Sequence, residues 1–350
     1  MSYPFRLYNR LKKLYFAANM RAWIFSIFIL TASLIKGQIL PSFGDSRTGT
    51  TGLQFLKIEP DARSVSLAGS FITEVNDPTA MYWNPAGLAK MKDHNLQFSA
   101  GHVSYYANTT LEHTSVAYAL SEETYIGLGL VYFDSGDMPV TTEFQPFGTG
   151  QTFRATDMAL GLSLARTLTD NFNFGLTARY VNESLAGVNT NAVVFDFGFQ
   201  YDVGLANTRF AVSISNFGFN TTPQGELQIV DLNGTRTLSA FEQIAIPAVF
   251  RLGFAWDALN QETHRLTLIG QLDHPTDNNE TLDFGTEYAW KNLLYARAGY
   301  RFGIDEGGLP AFGFGLNLKR SFGQLKVDYG FNSKNKLGST HRLTLGLGIL

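Results

Sequence analysis

From residue 95 to the end, this chain alternates apolar and polar residues in one short segment after another. A period of two puts the two sets on opposite faces of a β-strand, and a helix cannot satisfy it. The last segment shows the pattern plainly. Leu343, Leu345, Leu347 and Ile349 fall on one face, and Arg342, Thr344, Gly346 and Gly348 on the other. About fourteen such segments follow each other, and an even number of alternating strands is what a membrane barrel needs. Lipid offers no hydrogen bonds to an open sheet edge, so the sheet must close on itself. The expected fold is therefore all-β: a transmembrane antiparallel β-barrel of about 14 strands over residues 95–350.

The strands are expected to begin near Asn95, Glu112, Thr124, Thr152, Asn171, Asn191, Thr208, Ile246, Arg265, Thr281, Leu293, Ala311, Gln324 and Arg342. Composition agrees. Charged residues make up 16%, below the roughly 25% of a soluble domain. Mean hydropathy is only −0.04 because lipid-facing and lumen-facing residues average out. Tyr132, Tyr180, Tyr201, Trp256, Tyr288, Trp290 and Tyr300 stand near strand ends, as an interfacial girdle requires. One feature departs from the usual barrel: the chain ends Gly348-Ile349-Leu350 rather than on an aromatic.

Several chemistries are not supported. With no cysteine there is no disulfide, thiolate nucleophile or lipid-modified N-terminal cysteine. The six histidines show no metal-ligand spacing, and no nucleophile elbow or phosphate-binding glycine loop occurs. A net charge of −3 argues neither for nor against nucleic acid, but no basic patch on the scale nucleic acid needs occurs, and no such partner is expected. Neither an enzyme nor a cofactor or metal site is expected.

Residues 1–37 read as a secretory signal, with Arg21 before the apolar run Ala22–Ile35 and the small Gly37 before Gln38. Met20 is the expected start of translation. The alternative is an N-terminal membrane anchor, although the run is short for a spanning helix. Residues 38–94 lack alternation and are rich in turn formers. Asp77-Pro78 and Asn84-Pro85 frame a compact turn, since the residue before a proline is pushed out of the helical region. On these grounds alone the segment is a capped loop leading into the first strand.

The stretch Pro60-Asp61-Ala62-Arg63-Ser64, then Leu67-Ala68-Gly69, then Asn76 to Ala89 with Asn84-Pro85-Ala86, resembles the N-terminal region of the PorV/PorQ family of Bacteroidetes outer-membrane proteins. That family is related more distantly to the FadL-type transporters of hydrophobic compounds. The resemblance implies a FadL-like barrel whose N-terminal segment folds inward as a hatch, with Pro60, Asp61, Ala62, Arg63, Asn84, Pro85 and Ala86 as its motif residues. It also implies residence in the outer membrane of a Gram-negative bacterium with the N-terminus periplasmic. Its partners would then be outer-membrane lipid, the type IX translocon or the sortase and attachment complex, and the C-terminal signal domains of cargo.

The polar register carries both signs of charge, including Asp157, Arg179, Asp196, Arg251, Glu287 and Arg297. Mutual pairing inside a filled lumen is expected, because an ion-selective channel would favour one sign. With a periplasmic N-terminus, connections after odd-numbered strands are extracellular. Two of them, Ser135–Gly150 and Gly218–Gln243, are long. The first carries Met138, Phe144 and Phe147, either as a partner surface or as a cap folded over the barrel mouth. Two functions follow: a non-catalytic component of type IX secretion and surface attachment, or a FadL-like passive channel for hydrophobic small molecules.

Overall fold

The computed structural model describes residues 48–91, 94–231, 234–303, 310–320, 323–333 and 337–349. The signal expected at residues 1–37, the start of the segment at 38–47 and the terminal Leu350 lie outside the described residues.

The alternating segments form the strands β1 (Leu96–Ser104), β2 (Thr110–Ala119), β3 (Thr124–Asp134), β4 (Ala155–Thr169), β5 (Phe172–Leu185), β6 (Val188–Asp202) and β7 (Thr208–Gly218). They continue as β8 (Val249–Asn260), β9 (His264–Pro275), β10 (Thr281–Trp290), β11 (Leu294–Phe302), β12 (Ala311–Arg320), β13 (Gly323–Ser333) and β14 (Ser339–Ile349). Each strand pairs antiparallel with its chain neighbour, and β14 pairs back onto β1 from Leu96↔Ile349 to Ser104↔His341. Fourteen strands thus close without an edge, as the bilayer requires.

The register sorts the faces as the alternation demands. In β4, Leu160, Leu162 and Leu164 are exposed on the outer wall, while Ala159, Gly161, Ser163 and Ala165 are buried inside. β6 and β8 repeat this, with Val193, Phe197, Phe250 and Phe254 outward and Asp196, Gln200, Arg251 and Ala255 inward. β4 begins at Ala155 rather than Thr152, because Thr152–Phe153 instead pair with Met138–Pro139 in a separate ribbon.

The two ends of the barrel differ. At one end β2 and β3, β4 and β5, β8 and β9, and β10 and β11 are joined by short turns. At the other, residues 135–154 and 219–248 form long loops, the second carrying a hairpin of Leu227–Asp231 with Gly234–Leu238. Not every connection there is long: Ala186-Gly187 join β5 to β6 directly, both with positive φ (50° and 89°), as a tight hairpin turn needs. Tyr201, Trp256, Tyr288 and Trp290 lie towards the turn end, and Tyr132, Tyr180 and Tyr300 towards the loop end. These are the two aromatic girdles.

Residues 48–91 fill the lumen. They form a 3-10 turn (Gln54–Lys57), helices α1 (Ala62–Ser66) and α2 (Ala80–Trp83), and a second 3-10 turn (Pro85–Lys90). The reading as a loop that merely leads into β1 therefore gives way to the inward-folded hatch. The segment starts at the loop end, where Gly52 N–H donates to the Ala245 carbonyl (3.0 Å) and Lys57 pairs with Asp277 (2.8 Å). It finishes at the turn end, where Lys90 pairs with Asp202 (3.0 Å). Residues 48–58 sit at the end opposite the start of β1, and the N-terminus expected to be periplasmic lies outside the described residues.

The hatch supplies the core. Phe71, Ile72, Val75, Trp83 and Leu88 are buried against wall residues Ala117, Ala165, Ala211, Ala255 and Ile269. Nearer the loop end, Leu53, Phe55 and Leu56 pack on Val181, Val194 and Ile246. Burying side chains of this size contributes about 1.5–3 kcal/mol each. A lumen with a polar wall thus holds an apolar plug.

Candidate functional site: the hatch and its charged frame

Asp61 precedes α1 in extended backbone and caps it, its Oδ1 accepting the Ser64 N–H (2.8 Å). Its Oδ2 accepts the Trp83 indole N–H (2.7 Å), so one carboxylate joins both helices. Burial pushes this carboxyl up to about 6, against the hydrogen bonds from Ser64 and Trp83 that lower it. Ala62 donates its N–H to the Thr344 hydroxyl on β14 (2.9 Å), and Arg342 donates to the Glu59 carbonyl beside Pro60 (2.8 Å).

Asn84 does the same work at the second turn. Its Oδ1 accepts the Ala86 N–H (3.2 Å), with Pro85 at the first position of the turn, where its missing donor costs nothing. Its Nδ2 donates to the Ile72 carbonyl within the hatch (3.2 Å) and to the Phe199 carbonyl on β6 (3.1 Å). The wall leaves room for this approach only through glycine. A side chain at Gly198 would overlap the Asn84 amide, and one at Gly175 the Pro85 backbone.

Arg63 reaches the wall as a fork: Nε to Glu287 Oε2 (2.9 Å) and Nη2 to Glu287 Oε1 (3.0 Å), with the guanidinium over the Phe71 ring. Glu287 is fully buried and also accepts from Arg297 (2.7 Å), which in turn pairs with Asp328 (2.6 Å). The motif residues are thus fasteners between hatch and barrel.

The expected lumen charges all lie inside, but they form several pairs rather than one network. Arg179 pairs with Asp196 and donates to the Met81 carbonyl of α2 (3.2 Å). Arg251 pairs with Asp273 (3.2 Å) and lies over the Trp83 ring. Asp157 takes no base among the described residues; its charged neighbour is Glu183. The sequence reading missed the hatch-to-wall pairs, Arg209 with Glu74 (2.7 Å) and Arg301 with Glu59 (3.0 Å). Asp273 was legible, since it shares the inward register of β9 with Gln271. The partners of Glu59 and Glu74 were not, because no periodicity places a hatch residue against a strand.

The three residues expected as a partner surface separate. Met138 is half-buried in its ribbon, while Phe144 is 67% and Phe147 100% exposed. Both phenylalanines leave their rings open to the surroundings.

A family model described as type IX secretion system protein PorV matches residues 42–274. Among solved structures, the Pseudomonas putida toluene transporter TodX aligns with a TM-score of 0.58 at 14% identity, over 83% of this chain and 97% of that one. The monoaromatic hydrocarbon channel CymD aligns at 0.56 and 12% identity, over 83% and 97%. The Ralstonia pickettii toluene transporter TbuX aligns at 0.55 and 13%, over 81% and 96%. At such identities the likeness is one of fold. No curated protein matches. A closed fourteen-stranded barrel plugged by this hatch is the FadL-like fold, and the chain belongs to the PorV family of type IX secretion system proteins.

Proposed function

We propose that this outer-membrane barrel serves type IX secretion by binding: its loop end receives cargo signal domains or components of the translocon and the attachment complex, without catalysis. The family match over residues 42–274 carries the reading. Two observations support it. The lumen is occupied by a hatch held through half-buried ion pairs from Glu59, Arg63 and Glu74, an arrangement suited to a rigid platform. Phe144 and Phe147 offer apolar surface on a long loop, where a partner can cover it. In this reading the turn end, where β1 begins, is periplasmic, because barrels of this class keep short turns on that side.

The second reading, a passive channel for hydrophobic molecules, rests on the fold shared with TodX, CymD and TbuX. Purification from outer membranes in mild detergent, followed by mass spectrometry of what accompanies the chain, separates the two. Translocon, attachment components or cargo bearing a type IX signal domain are expected. Recovery of the barrel alone with hydrophobic small molecules in its lumen would sink the secretion reading.

A further inference from the structure

At the turn end, between the exit of the hatch and the inner faces of β9 to β13, lies a cavity of about 260 Å³. Its charge is unbalanced. Among the described residues, Arg63, Lys90, Arg265, Arg297, Lys319 and Lys326 line it, against the acids Asp77 and Asp328. Beside it in the lumen, three arginines converge on one carboxylate: Glu287 meets Arg297 at 2.7 Å, Arg63 at 2.9 Å and Arg265 at 3.5 Å. Asp202 answers Lys90.

Two further observations point to an anion site. Lys326 makes no hydrogen bond or ion pair among the described residues. The acids nearest it are engaged elsewhere, Asp328 with Arg297 (2.6 Å) and Asp77 with the Thr79 N–H (3.0 Å) and hydroxyl (2.5 Å). The Arg265 Nε is buried without a partner. Beside them, Gln97 lines the cavity at 6% exposed and takes no side-chain hydrogen bond among the described residues. A buried guanidinium N–H left in this way is costly unless something satisfies it.

We infer that this cavity binds a phosphorylated polyol, a glycerol phosphate or its like. Lys326 and the Arg265 guanidinium take the phosphate, since paired N–H donors match phosphate oxygens. The Gln97 amide both donates and accepts, and the Asn317 and Gln324 amides, joined by Gln324 Nε2 donating to Asn317 Oδ1 (2.6 Å), keep a further donor and acceptor, so they take hydroxyls. The space exceeds that of a bare phosphate and suits a small polyol ester. Such a group arrives either as a free ester or as a lipid headgroup. The inference does not depend on the secretion reading.

The test uses the full chain in nonionic detergent and phosphate-free buffer. Isothermal titration with glycerol 3-phosphate is compared with glycerol and with sodium chloride at equal ionic strength. One saturable site for the phosphate ester alone is expected. Lys326→Gln and Gln97→Leu should each weaken it roughly tenfold, the loss of one hydrogen bond to a charged or polar group, while the barrel keeps its heat-modifiable mobility on gels. Phosphorus analysis of the extracted chain separates the sources. Lipid phosphorus retained by the wild type and lost from Lys326→Gln marks a headgroup. Binding of the free ester without retained lipid marks a soluble ligand. Neither retained lipid nor saturable binding, or binding that both variants leave unchanged, overturns the inference.

Discussion

At the scale of single residues, the hatch is held by side chains that each perform two tasks. Asp61 caps α1 and accepts the Trp83 indole N–H. Replacing it with alanine leaves both donors unsatisfied in a buried site, and a loss of about 2–4 kcal/mol is expected. Thermal unfolding of the purified barrel, with protease cleavage within residues 48–91 as a local readout, measures it. The same carboxyl makes the hatch pH-sensitive. Its folded value of about 6 stands above the usual 3.8, so the folded chain holds this proton more tightly than the unfolded chain does. The resulting contribution to stability is complete below about 4 and is lost as pH rises through about 6. Protease resistance of the hatch should therefore be higher at pH 5 than at pH 7, and Asp61→Asn should flatten that difference. A rise in resistance with pH that depends on Asp61 would contradict the assignment.

At the scale of elements, the period of two did most of the work. The apolar register of β4 and β6 predicted their outer faces, because lipid on one side and a packed lumen on the other leave no freedom of register. An arginine in place of Leu162, in the middle of β4 on the lipid face, should cost about 2–4 kcal/mol of folding free energy in a bilayer. The same change at the periplasmic or outer rim should cost far less; equilibrium unfolding in lipid vesicles distinguishes the two. Strand ends were less legible, since Thr152–Phe153 continue the alternation of β4 yet pair with Met138–Pro139. The partners of the wall glycines were hidden in the sequence. Gly198 admits the Asn84 amide, so Gly198→Val should expel the Asn84-Pro85 turn from its seat. Protease cleavage near residue 84 in a barrel that still resists unfolding on gels would report it.

At the scale of the whole molecule, a barrel of the expected strand number closes around a segment whose seat could not be read from composition. The pairs that hold it link residues far apart in the chain, as Arg63 and Glu287 are by 224 positions. The motif around Asp61 and Asn84 was visible in the sequence; that it fastens rather than binds a ligand was not. A filled lumen should not conduct. The intact chain is expected to give no steady current in planar bilayers, and a chain lacking residues 51–90 should give stepwise openings. The proposed binding function lies at the loop end, with Phe144 and Phe147 exposed there. The most direct test puts a photo-crosslinking amino acid at position 147 in cells of a type IX secreting bacterium and identifies the adducts. Covalent adducts to secretion components or to cargo signal domains are expected. Adducts confined to lipid, with secretion unaffected when both phenylalanines are replaced, would contradict the account.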